Sequence, residues 1–223
     1  MAYAFRAATS QGNASGGALT VTKPTGTVDD DLIVVVAYLE SDTNTWASVG
    51  AGFTEDTGAN IDNTGAFDMR VWWKKASGEP ASWTWTPTTN NWRTVVCCSF
   101  SGTLGTAGGR VDVRATGQAD GATTFSCPTV TTTVDNDLLC AYVGNFGGGA
   151  YGYTSGPANT ERIDFGGLTL YSLDDAGAAG VEAATVLNAG TQDYAGGQIA
   201  FKLDTGGGGG AATQVGWVGA GWW

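Results

Sequence analysis

Acidic residues, 21 Asp and Glu in all, together with four cysteines and no histidine, are what this chain offers for chemistry. Without histidine, neither a Ser/His/Asp nor a Cys/His nucleophile system can be assembled. A pair of carboxylates could still hydrolyse a glycoside, and Asp56, Asp62, Asp68, Glu79, Glu161 or Asp164 could supply one. Acids in turns are common, however, and no two of these stand out. Acidic triplets recur as "VDDD" at 28–31 and "VDND" at 134–137, each just ahead of an apolar run. Turn chemistry, in which Asp side chains bond nearby backbone amides, accounts for both. A calcium site there, the alternative, needs oxygen ligands from several loops. The expectation is a non-enzymatic chain with no catalytic residue, no cofactor and no metal.

Cys97 and Cys98 are adjacent, so in a strand they point to opposite faces and do not pair or share an ion easily. With no C-x-x-C and no histidine, zinc is not expected. Buried free thiols are the expected state, with one disulfide as the alternative.

The elements that must position these residues read as strands. The chain carries 36 glycines in 223 residues, is only 14% charged, yet is 42% hydrophobic with nine Trp, seven Tyr and eight Phe, a folded body rich in turns. It is also written twice. Residues 5–36 match residues 113–142, with "TVDDDL" at 27–32 against "TVDNDL" at 133–138 and "FRAAT" against "VRAT". The match sets Cys127 against Val21, Cys140 against Val34, Cys98 against Ile199 and Phe100 against Phe201. Three of the four cysteines thus stand where ordinary core residues stand.

Short apolar runs and period-two alternation mark Leu19–Val21, Leu32–Tyr38, Phe67–Trp73, Trp83–Trp85 and Val96–Phe100 as strands. Phe125–Cys127, Leu138–Val143, Leu168–Leu170, Val181–Leu187 and Ile199–Leu203 are their counterparts in the second repeat. No stretch makes a convincing amphipathic helix, since "DDAGAAGVEAA" carries two glycines at about 1 kcal/mol each. The expected fold is all-β: an antiparallel two-sheet sandwich, jelly-roll-like, built from two sequence repeats and followed by a Gly-rich C-terminal extension. Residues 1–204 form the sandwich (repeat 1, 1–107; repeat 2, 108–204), and 205–223 form a glycine stalk with an aromatic tail. Two tandem immunoglobulin-sized sandwiches are the alternative to one.

Charge narrows the partners. A net charge of −11 with only ten Lys and Arg, none clustered beyond Lys74-Lys75, disfavours nucleic acid and anionic membrane. The start "MAYAFRAATSQGNAS" has no apolar h-region, so a chain made in a cytoplasm without a signal peptide is expected. Tryptophan is uneven: Trp46, Trp72, Trp73, Trp83, Trp85 and Trp92 lie in the first repeat, none in the second, and three in the tail. Trp73 shares a face with Met69 and Val71 and belongs to the core, as do Trp83 and Trp85. Trp72 falls on the opposite face with Arg70 and Lys74. Trp46, Trp72 and Trp92 are the candidates for surface aromatic contact, with a neighbour or with a sugar ring.

"LTVTKPTGTVDDDLIVVVAY", then "GFTED", "VWWKKASGEPASWTWT" and "VVCCSFSG" together resemble a family of bacteriophage and prophage structural proteins. In that family a "GDLLV" strand, a "GWT" strand, a "YWKVASGEPASYTWT"-like hairpin and a closing "AAYRG" recur, often twice. The likeness covers most of 17–204, is most specific over residues 73–86, and weakens in the second repeat, which lacks the Pro and the aromatic pair. It implies a jelly-roll-like fold, a place in the virion of a tailed phage and a decorating or fibre-like surface role. Sister subunits and other virion proteins are the implied partners, in a homo-oligomer, with host glycans (an adhesin) or a tail component as alternatives. In that setting the extension reads as an assembly latch. Gly206–Gly210 would be the stalk, and Val215, Trp217, Val218, Trp222 and Trp223 the partner-binding residues, each large side chain contributing about 1.5–3 kcal/mol when buried. Packing back on its own sandwich is the alternative for this segment.

Overall fold

A run such as "LIVVVAYL" has no polar face to give to water, so it must be covered on both sides. The computed structural model, which describes residues 2–13, 17–41, 45–63, 67–88, 91–102, 110–146, 152–155, 160–182 and 186–203, shows what covers it. The first half contains β1 (Ala4–Asn13), β2 (Leu19–Thr22), β3 (Leu32–Leu39), β4 (Trp46–Ser48), β5 (Thr54–Glu55), β6 (Ile61–Asn63), β7 (Phe67–Lys75), β8 (Ser82–Pro87) and β9 (Arg93–Ser101). The second contains β10 (Val111–Ser126), β11 (Val130–Thr131), β12 (Leu138–Asn145), β13 (Gly152–Ser155), β14 (Thr160–Phe165), β15 (Leu168–Leu173), β16 (Val181–Glu182) and β17 (Val186–Phe201). The described residues are all-β, without a helix, and every strand pair is antiparallel.

Where the sequence leads one to expect two sheets, the described residues form four. One six-stranded sheet runs β1-β9-β3-β7-β5 with β6 beside β7, and another runs β10-β17-β12-β15-β14 with β13 beside β17. A three-stranded sheet, β2-β8-β4, and a two-stranded one, β11-β16, complete the fold. In each half the strands pair in nested fashion: β1 with β9, β2 with β8 and β3 with β7, then β10 with β17, β11 with β16 and β12 with β15.

The extra layers follow from the burial demand of the central strands. Leu32, Val34, Val36 and Tyr38 of β3 face the second half, joining Met69, Val71, Val96, Phe100, Leu138, Cys140, Tyr142, Leu170, Ile199 and Phe201 in one shared core. Ile33, Val35, Ala37 and Leu39 face the other way, onto Leu19, Val21, Trp46, Trp83 and Trp85 of the three-stranded sheet. The two large sheets therefore pack face to face, and each carries a smaller sheet outside. On the second half that outer cover is thinner: Val130 of β11 packs on Leu139 and Ala200.

The contact between the halves is close. A methyl group on Gly144 of β12 would sit 2.8 Å from the Met69 sulfur and 3.0 Å from Tyr38, so glycine lets that backbone approach the opposing side chains. Trp73 meets Phe201 edge to face at 6.3 Å. Polar links run between the halves as well. Arg114 is 2.8 Å from Asp56, the Tyr142 hydroxyl donates to the Ala59 carbonyl, the Phe5 N–H donates to Asp174, and the Thr94 hydroxyl donates to the Gly166 carbonyl.

The "WKKASGEPASWTWT" stretch is not a hairpin. Its two strands, β7 and β8, lie in different sheets, so the segment arches from the inner layer to the outer one. Glu79 holds the arch, accepting from the Ser77 N–H at 2.9 Å and from Lys74 at 2.7 Å, while Gly78 supplies a left-handed φ of 61°.

Candidate functional site

One place in the two halves is built alike in backbone and unlike in charge. Phe5 stands opposite Phe100 and Ala8 opposite Cys98; Val111 stands opposite Phe201 and Arg114 opposite Ile199. In each first strand the register slips between those two positions, a bulge that bends the strand and re-aims a side chain. This register sets Arg6 level with Asp112, so the match of "FRAAT" with "VRAT" is two residues out of step with the pairing.

Each bulged side chain meets the last acid of the facing acidic turn. The two turns are alike: Asp30 and Asn136 take left-handed φ values of 74° and 63°, and Ala76 and Ala176 donate to the carbonyls of Asp31 and Asp137. In the first half Arg6 lies 2.7 Å from buried Asp31, which also accepts from the Val28 N–H at 2.9 Å. That is an ordinary ion pair. In the second half the residue at the Arg6 position is itself a carboxylate, and Asp112 faces Asp137.

Two buried carboxylates side by side cannot both ionise cheaply. Asp137 is fully buried and neither of its oxygens meets a donor. The pair closes only if Asp137 carries a proton and donates it to Asp112. Burial first, and Asp112 second, push the Asp137 carboxyl up to about 8. Burial acts to raise Asp112 as well, but the Thr133 hydroxyl and N–H, Lys202 and the Asp137 proton outweigh it and hold that carboxyl low. Lys202 Nζ stands 3.1 Å from Asp112 Oδ1. The Lys202 N–H donates to the Arg110 carbonyl, which fixes the last described turn of chain beside the first residues of β10. Glu182 of β16, also buried, is the remaining acid facing Asp137, and burial raises it too. The result is a lysine paired with a carboxylate that faces a second, buried acid, next to the last described residues.

The residues expected to form surface contacts are placed elsewhere. Trp46 and Trp72 are a correction: they are 8% and 2% exposed and meet edge to face at 6.3 Å inside the outer core of the first half. Trp72 is covered because the three-stranded sheet takes the face that alternation assigned to solvent. Trp92 is half-buried against the shared core, its indole N–H donating to the Gly166 carbonyl. Val215, Trp217, Val218, Trp222 and Trp223 lie outside the described residues, as does the whole stalk.

The acids considered for a hydrolytic pair are engaged one by one. Asp56 holds Arg114 and the amides of Gly58 and Ala59; Glu79 holds the arch; Glu161 accepts from the Tyr171 hydroxyl and Asp164 from the Thr169 hydroxyl. Asp62 and Asp68 are the two brought opposite one another, across β6 and β7, and there Asp68 is tied to Arg70 at 2.7 Å. In the acidic turns Asp29 accepts from the Gly78 N–H and Asp135 from the Ala179 N–H, tying each turn to a distant loop, while Asp31 makes the local bond expected of a turn, to the Val28 N–H. All four cysteines are buried and free, with Cys98 and Cys140 in the shared core and Cys97 in the outer core of the first half.

Among the described residues no helix is long and apolar enough to cross a membrane. Comparison with family models, with curated proteins and with solved structures returns no match to this chain.

Proposed function

We propose that this chain is a non-enzymatic structural protein of a tailed-phage particle, a capsid-decoration or fibre-like surface protein that works through subunit contacts and its C-terminal segment. Its body is a duplicated jelly roll, each half a ribbon of nested strand pairs rolled into two layers. The observation that carries this reading is that nested pairing, present in both halves and closed around one shared core. Such a body is a stiff mount, and β17 ends beside the first residues of β10, so the segment after Leu203 departs from a fixed point. Charge use supports the same reading. Seven of the ten Lys and Arg are committed to ion pairs within the chain, and Arg110 lies over the Trp73 ring. The uncompensated charge is acidic, which keeps a densely decorated surface soluble. Many copies, each held by a modest contact, gain avidity from repetition.

The adhesin alternative loses two of its three aromatic residues to the core, since Trp46 and Trp72 are covered. Light scattering on the full chain and on residues 1–204 tests the reading. An oligomer that dissociates on removal of 205–223 is expected. Identical masses for the two would remove the terminal segment from any role in self-assembly.

A further inference from the structure

We propose that Lys202 and Asp112 condense into an intramolecular amide cross-link, with Asp137 as the acid that carries the protons. The reacting groups are already in contact: Nζ of Lys202 is 3.1 Å from Oδ1 of Asp112. Asp112 is also held by Thr133, whose hydroxyl donates to Oδ1 and whose N–H donates to Oδ2, which fixes the plane of its carboxyl. Its side chain is 1% exposed. The backbone bond from the Lys202 N–H to the Arg110 carbonyl fixes the lysine stem against the same strand. Holding amine and acid this way replaces a bimolecular encounter by an internal one, worth many orders of magnitude in effective concentration.

The third group is what distinguishes this contact from a surface ion pair. Asp137 is wholly buried, has no donor at either oxygen, and faces Asp112. A neutral carboxylic acid there can give a proton and take one back. In the reaction, a proton first passes within the ion pair from the Lys202 ammonium to the Asp112 carboxylate, leaving an amine and an acid. The nitrogen lone pair attacks Cγ of Asp112 and a C–N bond forms. Asp137 gives its proton to the departing hydroxyl as the C–O bond breaks, and takes one from the nitrogen. One water leaves, Asp137 ends as it began, and no oxidant or cofactor takes part. The Asp112 side chain is 1% exposed, so the bond once formed has little access to water at its carbonyl.

The first half is the internal control. Its equivalent acid, Asp31, faces Arg6, whose guanidinium stays protonated and is no nucleophile. The residue level with Lys202, one beyond the Phe100 that matches Phe201, is Ser101. Only the second half has all three groups. The bond would join β10 to Lys202, one residue before the last described one, so that load applied along the chain beyond it passes into the sheet through a covalent link. The chemistry stands whether or not the virion reading does.

Intact-mass spectrometry of the purified full chain tests it directly. The expected mass is that of the encoded sequence less one water, and a protease digest should contain a branched peptide joining Asp112 to Lys202. Lys202→Arg, which keeps the ion pair, should restore the encoded mass. Asp112→Asn should lose one ammonia instead of one water. Asp137→Asn should leave the folded chain, checked by circular dichroism, at the encoded mass. A folded wild-type chain that stays at the encoded mass on long incubation overturns the proposal, as does a water loss that persists in Lys202→Arg.

Discussion

Replacing Ile199 by Ala tests whether the two halves are one cooperative unit. Ile199 is fully buried in the shared core, on β17, with Arg114 and Cys140 as its cross-strand neighbours. Removing its branched side chain costs the lost transfer free energy plus a cavity, about 2–5 kcal/mol. A chain of this size has a urea dependence of about 2–3 kcal/mol/M, so the midpoint should fall by about 1–2 M. The readout exploits the uneven tryptophans: outside the terminal segment all of them lie in the first half. In a 1–204 form, tryptophan fluorescence therefore reports the half that was not mutated, while far-ultraviolet circular dichroism reports both. One core predicts one transition, shifted equally by both probes. A fluorescence midpoint that stays at the wild-type value while circular dichroism splits in two would refute the reasoning.

The Asp137 carboxyl gives a pH signature, best read in Lys202→Arg, where no amide can form. Below about pH 4 both folded and unfolded chains hold this proton; above it the unfolded chain releases its own, while the folded chain keeps one up to about pH 8. Stability should therefore fall as pH rises across that window, by about 2–5 kcal/mol given that Asp112 titrates with it. The groups facing Asp137 are Asp112, Glu182 and the cation at 202. Buried Glu182 adds to the fall, whereas Asp112, held low, adds stability that is lost only toward acid. Asp137→Asn should flatten the slope in chemical denaturation, and an unchanged slope would show that another group sets it. The four buried thiols should resist Ellman's reagent in the native chain and all react once it is unfolded; fast native reaction would contradict their placement. Asn136→Gly should raise stability by up to about 1 kcal/mol by relieving its left-handed backbone, and Asn136→Val should lower it by more than that, both measurable as shifts in thermal midpoint.

The fold was legible where burial dictates residue type. β3 is apolar on every residue and β12 on every residue before Asn145, because both of their faces are covered, and such runs announce themselves. β10 did not: "VDVRATGQADGATTFS" is largely polar and has a single buried residue, Phe125, so its long pairing with β17 does not show as an apolar run. The outer sheets were hidden for a related reason. Alternation assigned Trp72 to solvent because Arg70 and Lys74 flank it, and a single strand's pattern cannot reveal a third layer lying over it. The acidic triplets were visible as turns, and Asp31 and Asp137 could be named. Their partners could not, because a bulge set Asp112 rather than Arg114 at the decisive position and Lys202 arrives from the far end of the second half.

As proposed, this chain is built into a particle and held there through residues 205–223. Purified particles made with the full chain and with a chain ending at residue 204 should be compared by quantitative mass spectrometry. The account predicts many copies per particle for the full chain and their loss from particles made with the shortened, still folded one. Equal copy numbers in the two preparations, or no copies in either, would contradict it.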